Sequence, residues 1–176
     1  AKYRQAMKDQ FKGELLGTFL LVFFGCSAVA SSVTVGAPSG LFQVAAVWGM
    51  GLTLAIWLSG GLSGAHLNPA ITLALAVFTS FPARRIPLYV IAQLLGAFIA
   101  AAAVYGVYGG NVIAFETHHG IERGAPGSEA TAMIFGEFHP NPGGAPLDTE
   151  REIRVSAVRA FFAEFLGTAL LALAIF

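Results

Sequence analysis

Ser63-Gly64-Ala65-His66-Leu67-Asn68-Pro69-Ala70-Ile71-Thr72 lies within a segment, Gly61 to Phe81, that decides how the whole chain is read. A membrane-crossing helix needs about 20 mostly apolar residues. The apolar helix-like part here, Ala70 to Phe78, is far too short, and Phe81-Pro82 closes it. Asn is a preferred N-cap and Pro suits the first helical position, so Asn68 and Pro69 predict a short helix that starts inside the apolar layer. A short apolar helix entered through an irregular polar stretch reads as a re-entrant element, which enters and leaves on the same side. Irregular backbone at membrane depth is tolerated only where protein buries it or where it lines a water-filled cavity. Gly64 to Leu67 are therefore expected to be extended, with carbonyls facing a cavity. The positive helix end would point into the protein, and the Asn68 amide would be placed to donate to a passing hydroxyl or water. Standing alone, Asn-Pro is also an ordinary turn that caps a helix.

Outward from this segment, four stretches approach crossing length: about Gly13 to Val35, about Leu41 to Gly60, about Ile86 to Tyr108, and one that starts near Val155 and is still apolar at Phe176. Of 176 residues, 56% are hydrophobic and 11% charged, against about 25% charge in a soluble domain. Mean hydropathy is +0.70, and the composition is that of a membrane protein. Net charge is +0 with no basic surplus, so nucleic acid is not an expected partner. The single cysteine, Cys26, can form neither an internal disulfide nor a metal cluster, and it reads as helix packing. The motifs G-x-S-x-G, Walker A and H-E-x-x-H are missing, and neither enzyme chemistry nor a cofactor is expected. Lys2, Arg4, Lys8 and Lys12 ahead of the first apolar run look superficially like the start of a signal peptide. The run is too long for that and no clean cleavage site follows, so it reads as a retained span.

Charge sets the expected topology. The first twelve residues carry four Lys/Arg against one acid, Asp9, and the loop after the half-helix carries Arg84 and Arg85. Both basic segments, and with them the N-terminus, are predicted cytoplasmic. They share a side only if Gly61 to Phe81 does not cross. Residues 109–154, rich in Gly and Pro with seven acids and three arginines, then form an outer loop. An internal repeat supports this frame. Glu14-Leu15-Leu16-Gly17-Thr18-Phe19-Leu20-Leu21 matches Glu164-Phe165-Leu166-Gly167-Thr168-Ala169-Leu170-Leu171 at six of eight positions, at an offset of 150. Three crossings separate the copies, so the repeat is inverted, as in channels and transporters with a site at the midplane.

The expected fold is an all-α membrane bundle with an inverted repeat and a re-entrant half-helix. Residues 1–108 would form a first half-repeat of three spans with the re-entrant segment 61–81. Residues 109–154 would be the outer loop, and 155–176 the first span of an incomplete second half-repeat. Counterparts of Trp48 and Asn68 would fall beyond Phe176, so the chain is expected to be roughly the first two-thirds of a larger protein.

The string from Ser63 to Thr72 resembles the first signature loop, the NPA box, of the aquaporin (major intrinsic protein) family. The Glu-x-Leu-Gly-Thr element at Glu14 and Glu164 also matches that family, and Gln93 with Gly96-Ala97-Phe98 fits it. Phe115-Glu116-Thr117-His118-His119 and Pro140-Asn141-Pro142 resemble its glycerol-conducting branch, the aquaglyceroporins. The family's second NPA box, the pore arginine after it and spans five and six have no counterpart in these residues.

The resemblance implies a passive channel for glycerol, small polyols and water, a multi-pass protein of the cell membrane, and a homotetramer in the lipid bilayer. It makes Trp48 a wall of the outer constriction, tilted toward glycerol, although from composition alone an interfacial aromatic is the better reading of Trp48. Carbonyls of Gly64, Ala65, His66 and Leu67 would form a ladder ending at Asn68, within the motif Asn68-Pro69-Ala70. Glu14, His66 and Gln93 would support the loop, and Glu164 would serve a second loop in the same way. His118 and His119 are expected to make a contact in the outer loop rather than hold a metal. Gly13 with Gly17, and Gly96 with Ala100, are small-residue pairs that let membrane helices approach. Two alternatives stay open: a water-selective channel and a non-conducting membrane scaffold. An ion-coupled transporter is disfavoured, since only Glu14, Arg159 and Glu164 are ionisable in or at the edges of the spans.

Overall fold

The computed structural model describes residues 2–139 and 156–175, and all of their regular structure is helical. In chain order these are α1 (Lys2–Val35), α2 (Leu41–Ser63), α3 (Pro69–Phe78), a 3-10 turn (Ala83–Arg85), α4 (Ile86–His119), a short α5 (Glu129–Ala132) and α6 (Ala157–Ile175). Among the described residues four helices are long and apolar enough to cross a membrane: α1, α2, α4 and α6. The ten-residue α3 is not; at about 1.5 Å per residue it spans roughly half a hydrocarbon layer.

Helix α1 is the centre of the bundle, packed against α4 on one side and α2 on the other. Missing side chains set the distances. A Cβ added at Gly13 would lie 2.8 Å from the Ser63 side chain, and one at Gly96 would lie 2.5 Å from the Leu15 carbonyl oxygen. Gly25 of α1 receives the Trp48 indole, and Gly51 of α2 faces Phe24. Cys26, Ala30, Val104, Val112 and Ile134 form a buried cluster toward the far end of α1. Leu94, Phe98 and Val107 point outward along α4, as do Phe161, Phe162 and Phe165 along α6. In water such a surface would aggregate; in a bilayer it is covered by lipid or further helices, and Phe161 and Phe165 also line a cleft between α3 and α6.

The guanidinium of Arg84 lies over the Tyr3 ring, 5.8 Å from its centroid. The start of α1 and the turn after α3 are therefore at the same end of the bundle, and α3 returns to the end at which α2 finished. Helix α4 differs from the sequence expectation. It does not give way to a loop at Gly109 but continues to His119, where Gly120 takes a left-handed conformation (φ 64°) and stops it. Gly109-Gly110 reads as a break, yet Val112 and Glu116 on the following turns are buried and hold the helix in place. The segment Pro140-Asn141-Pro142 lies outside the described residues.

Candidate functional site

Glu14 is completely buried in the middle of the packed faces. A carboxylate in such a place is tolerated only when donors surround it, and four converge on it. Ser63 Oγ (2.6 Å) and the His66 N–H (3.0 Å) donate to one oxygen. The Leu67 N–H (2.8 Å) and Gln93 Nε2 (2.7 Å) donate to the other. One side chain of α1 thus ties together the end of α2, the irregular segment and α4.

A second layer carries the ties to α3. Gln93 Nε2 also donates to Thr72 Oγ1 (3.0 Å), and that hydroxyl donates to the Asn68 carbonyl (3.0 Å). His66 Nδ1 lies 3.2 Å from the same hydroxyl. With the Thr72 proton on Asn68, Nδ1 is the ring nitrogen that donates. Tyr89 Oη donates to the Ser63 carbonyl at 2.7 Å, and the Phe81 and Tyr89 rings flank the His66 ring with centroids at 4.6 Å.

This arrangement decides the backbone of Gly64 to Leu67, which is not extended. Gly64 has φ 90°, Ala65 φ 52° and Leu67 φ 55°. Left-handed geometry at a residue other than glycine costs of order 1–3 kcal/mol and persists only where its surroundings enforce it. Here the enforcing contacts are the N–H groups of Ala65, on Ser63 Oγ at 3.1 Å, and of His66 and Leu67, on Glu14. A trans peptide is planar, so each N–H is antiparallel to the carbonyl of the preceding residue. The carbonyls of Ala65 and His66 therefore point away from Glu14, and that of Gly64 points away from Ser63 Oγ. Among the described residues, no donor is bonded to them or to the Leu67 carbonyl.

The row of carbonyls ends at the cap of α3. Asn68 Oδ1 accepts the Ala70 N–H at 2.7 Å, with Pro69 next in the first helical turn. With its oxygen held toward the Ala70 N–H, the amide presents its NH2, which makes no bond among the described residues. Pro69 and Ala70 are exposed, and Ala70 lines an apolar cleft of about 390 Å³ between α3 and α6.

The other predicted positions lie apart from this site. Trp48 stands in a separate cleft of about 870 Å³, between the end of α1, the start of α2 and the segment after α5. Val29, Ser32, Met133 and Glu137 share that lining. Glu164 is exposed, and its carboxylate meets His139 Nε2 at 3.3 Å; the described residues offer it no re-entrant loop. His119 Nδ1 lies 2.9 Å from the Phe115 carbonyl, and the His118 and His119 rings are in contact.

Ser63, Thr72 and Tyr89 belong to the site, although residue type and local spacing did not single them out for a role. A second polar knot at the outer end was missed as well. Glu116, 7% exposed, accepts from Arg123 Nε (3.0 and 2.9 Å) and from Thr131 Oγ1 (2.8 Å). The Glu116 carboxylate, with Tyr105 Oη behind it, holds the Arg123 guanidinium above its ordinary pKa. Only the acid-His-His string hinted at this knot. It fastens α5, and the following Ile134 plugs into the core cluster beside Cys26.

Comparison with known proteins bears on this geometry. The chain is 43% identical over 162 residues to a glycerol uptake facilitator protein of Pseudomonas aeruginosa, covering 92% of this chain and 54% of that one. It is 42% identical to that of Haemophilus influenzae, covering 95% and 59%. A propanediol uptake facilitator of Citrobacter freundii is 41% identical over 133 residues, covering 76% and 49%. The chain thus spans little more than half the length of the glycerol facilitators it matches. Among solved structures, the aquaglyceroporin from Plasmodium falciparum superimposes with a TM-score of 0.59 at 40% identity, covering 62% of this chain and 45% of that one. The family profile described as major intrinsic protein matches residues 3–176, and the chain belongs to that family.

Proposed function

We propose that this chain supplies the first half of a passive membrane channel for glycerol and other small uncharged solutes, with water. The observation that carries the reading is the row of carbonyls from Gly64 to Leu67, which accept no bond among the described residues, with those of Ala65 and His66 turned away from Glu14, and which ends at an Asn68 NH2 likewise unbonded among the described residues. A polyol has hydroxyls along one edge and carbon along the other. Along such a row, each hydrogen bond it gives up to bulk water is replaced by one to a carbonyl or from Asn68. Ions gain too little from these contacts to offset lost hydration, and the positive end of α3 opposes cations. Trp48 forms an apolar wall for the carbon edge at the outer constriction. Glu14, Gln93 and His66 hold the carbonyls in place and take no part in proton transfer; Glu164 plays the Glu14 role toward a second loop. The basic end faces the cytoplasm, and the protein works as a homotetramer in the cell membrane. The names of the glycerol and propanediol facilitators support the small-polyol assignment.

The test is stopped-flow light scattering on proteoliposomes holding the protein as its gene encodes it, under glycerol and sorbitol gradients. Glycerol and water permeabilities both above those of protein-free vesicles are the expected result. Water alone would mean a water-selective pore. Neither would mean a non-conducting scaffold and would overturn the proposal.

A further inference from the structure

Six cations, Lys2, Arg4, Lys8, Lys12, Arg84 and Arg85, gather at one end of the bundle, and the solute path uses none of them. Among the described residues no ion pair reaches any of the six. Asp9, the one acid among the first twelve residues, accepts from Gln5 Nε2 at 2.9 Å, and Glu14 beyond it is engaged by its own four donors. Arg85 Nε is enclosed and has no acceptor.

The local arrangement is adverse by itself. Arg4, Lys8 and Lys12 follow one another at intervals of four on α1, and like charges at that spacing destabilise a helix. Arg84 and Arg85 come directly before α4, where the partial positive charge of the helix N-terminus repels cations. An external negative surface would offset each of these terms.

Geometry says what kind of surface. Helix α1 has 34 residues, so it is about 51 Å long, against about 30 Å of hydrocarbon. Its basic first turns therefore lie at headgroup level. At about 100° per residue, Arg4, Lys8 and Lys12 form a narrow stripe on the side away from Gly13, Glu14 and Gly17, and all three are exposed. The stripe extends about 12 Å along the helix, more than one small anion covers but matched to an array of headgroups. Tyr3, 53% exposed, is an aromatic suited to the interface. Arg84 lies over its ring face, which leaves the in-plane guanidinium N–H groups free to donate.

We propose that this end of the bundle binds the phosphate groups of anionic phospholipids, with Arg4, Lys8, Lys12 and Arg84 as donors. The surface selects lipid at the protein boundary and is independent of what the channel conducts.

The experiment measures boundary lipid by electron spin resonance with spin-labelled phosphatidylglycerol and phosphatidylcholine, on the protein as its gene encodes it. Phosphatidylglycerol should associate more strongly than phosphatidylcholine. The preference should fall roughly two- to five-fold for each charge removed in Arg4→Gln, Lys8→Gln and Lys12→Gln. It should shrink as salt rises from about 0.05 to 0.5 M. Lys8→Arg/Lys12→Arg keeps the charge and should keep the preference, which guards against misreading an unstable neutral variant. Arg159→Gln, on α6, should leave it unchanged. Adding inorganic phosphate at fixed ionic strength should displace no more anionic lipid than chloride does; greater displacement would assign the surface to a free anion and overturn the proposal. A wild-type preference near one, or one that survives neutralisation of the stripe, would also overturn it. Solute flux enters none of these readouts.

Discussion

Glu14 and Glu164 open the same eight-residue phrase, yet the structure treats them as opposites. Glu14 is sealed, with four donors from three other segments. Glu164 is 62% exposed and meets one imidazole. The neighbouring glycines repeat the contrast. At Gly17 an added Cβ would strike the Leu67 side chain and lie 2.6 Å from Ser59 Oγ, whereas at Gly167 it would meet nothing within 4 Å. The phrase therefore encodes a helix able to receive a re-entrant loop. The loop, not the phrase, creates the burial.

Substitutions at paired positions put that contrast at risk. The largest effect is expected at Glu14→Ala, which strands the buried N–H groups of His66 and Leu67 and the amide of Gln93. The cost is about 3–5 kcal/mol, read as a fall in the unfolding midpoint in mixed detergent micelles, together with loss of glycerol flux. Glu164→Ala in this chain should shift the same midpoint by less than about 0.5 kcal/mol. Equal penalties would erase the distinction between the copies.

Gly17→Ala comes next. Crowding against Leu67 and Ser59 should cost about 1–3 kcal/mol. Gly167→Ala meets open space and should raise helix stability by up to about 1 kcal/mol. Circular dichroism melts of the two variants should move in opposite directions.

Gln93→Leu removes one of the four donors to Glu14 and the bond to Thr72, while keeping similar volume. A loss of about 1–2 kcal/mol is expected in the same unfolding assay. Arg123→Gln loosens the outer knot, where the guanidinium is half-exposed. It should leave the global midpoint within about 0.5–1 kcal/mol but speed protease cleavage between Gly120 and Phe135. An unchanged cleavage rate would show that Ile134, rather than the ion pair, fastens that segment.

The spans and the half-helix were legible because length and apolarity are local properties. Asn68-Pro69 fixed the start of α3 by cap chemistry that needs no tertiary partner. The extension of α4 past Gly109 was not legible. A glycine pair signals a break unless something later on the helix is buried, and only the fold shows that Glu116 is. The same holds for the left-handed turns at Ala65 and Leu67, residues with no preference for that region; their geometry is imposed by a carboxylate some fifty positions earlier. Glu14 and Gln93 were found as candidates through the family pattern. Ser63 and Thr72 stand in the signature string without an assigned role and Tyr89 stands outside it; the roles of all three depend on partners fixed by three-dimensional approach rather than by spacing.

The amides of Ala65, His66 and Leu67 belong to no helix, yet each is spent on a side chain at the centre of the protein. In deuterated buffer the His66 and Leu67 protons should linger as long as those of the surrounding spans, because releasing them requires the Glu14 ties to open. By that measure a stretch that looks like a linker is part of the rigid frame.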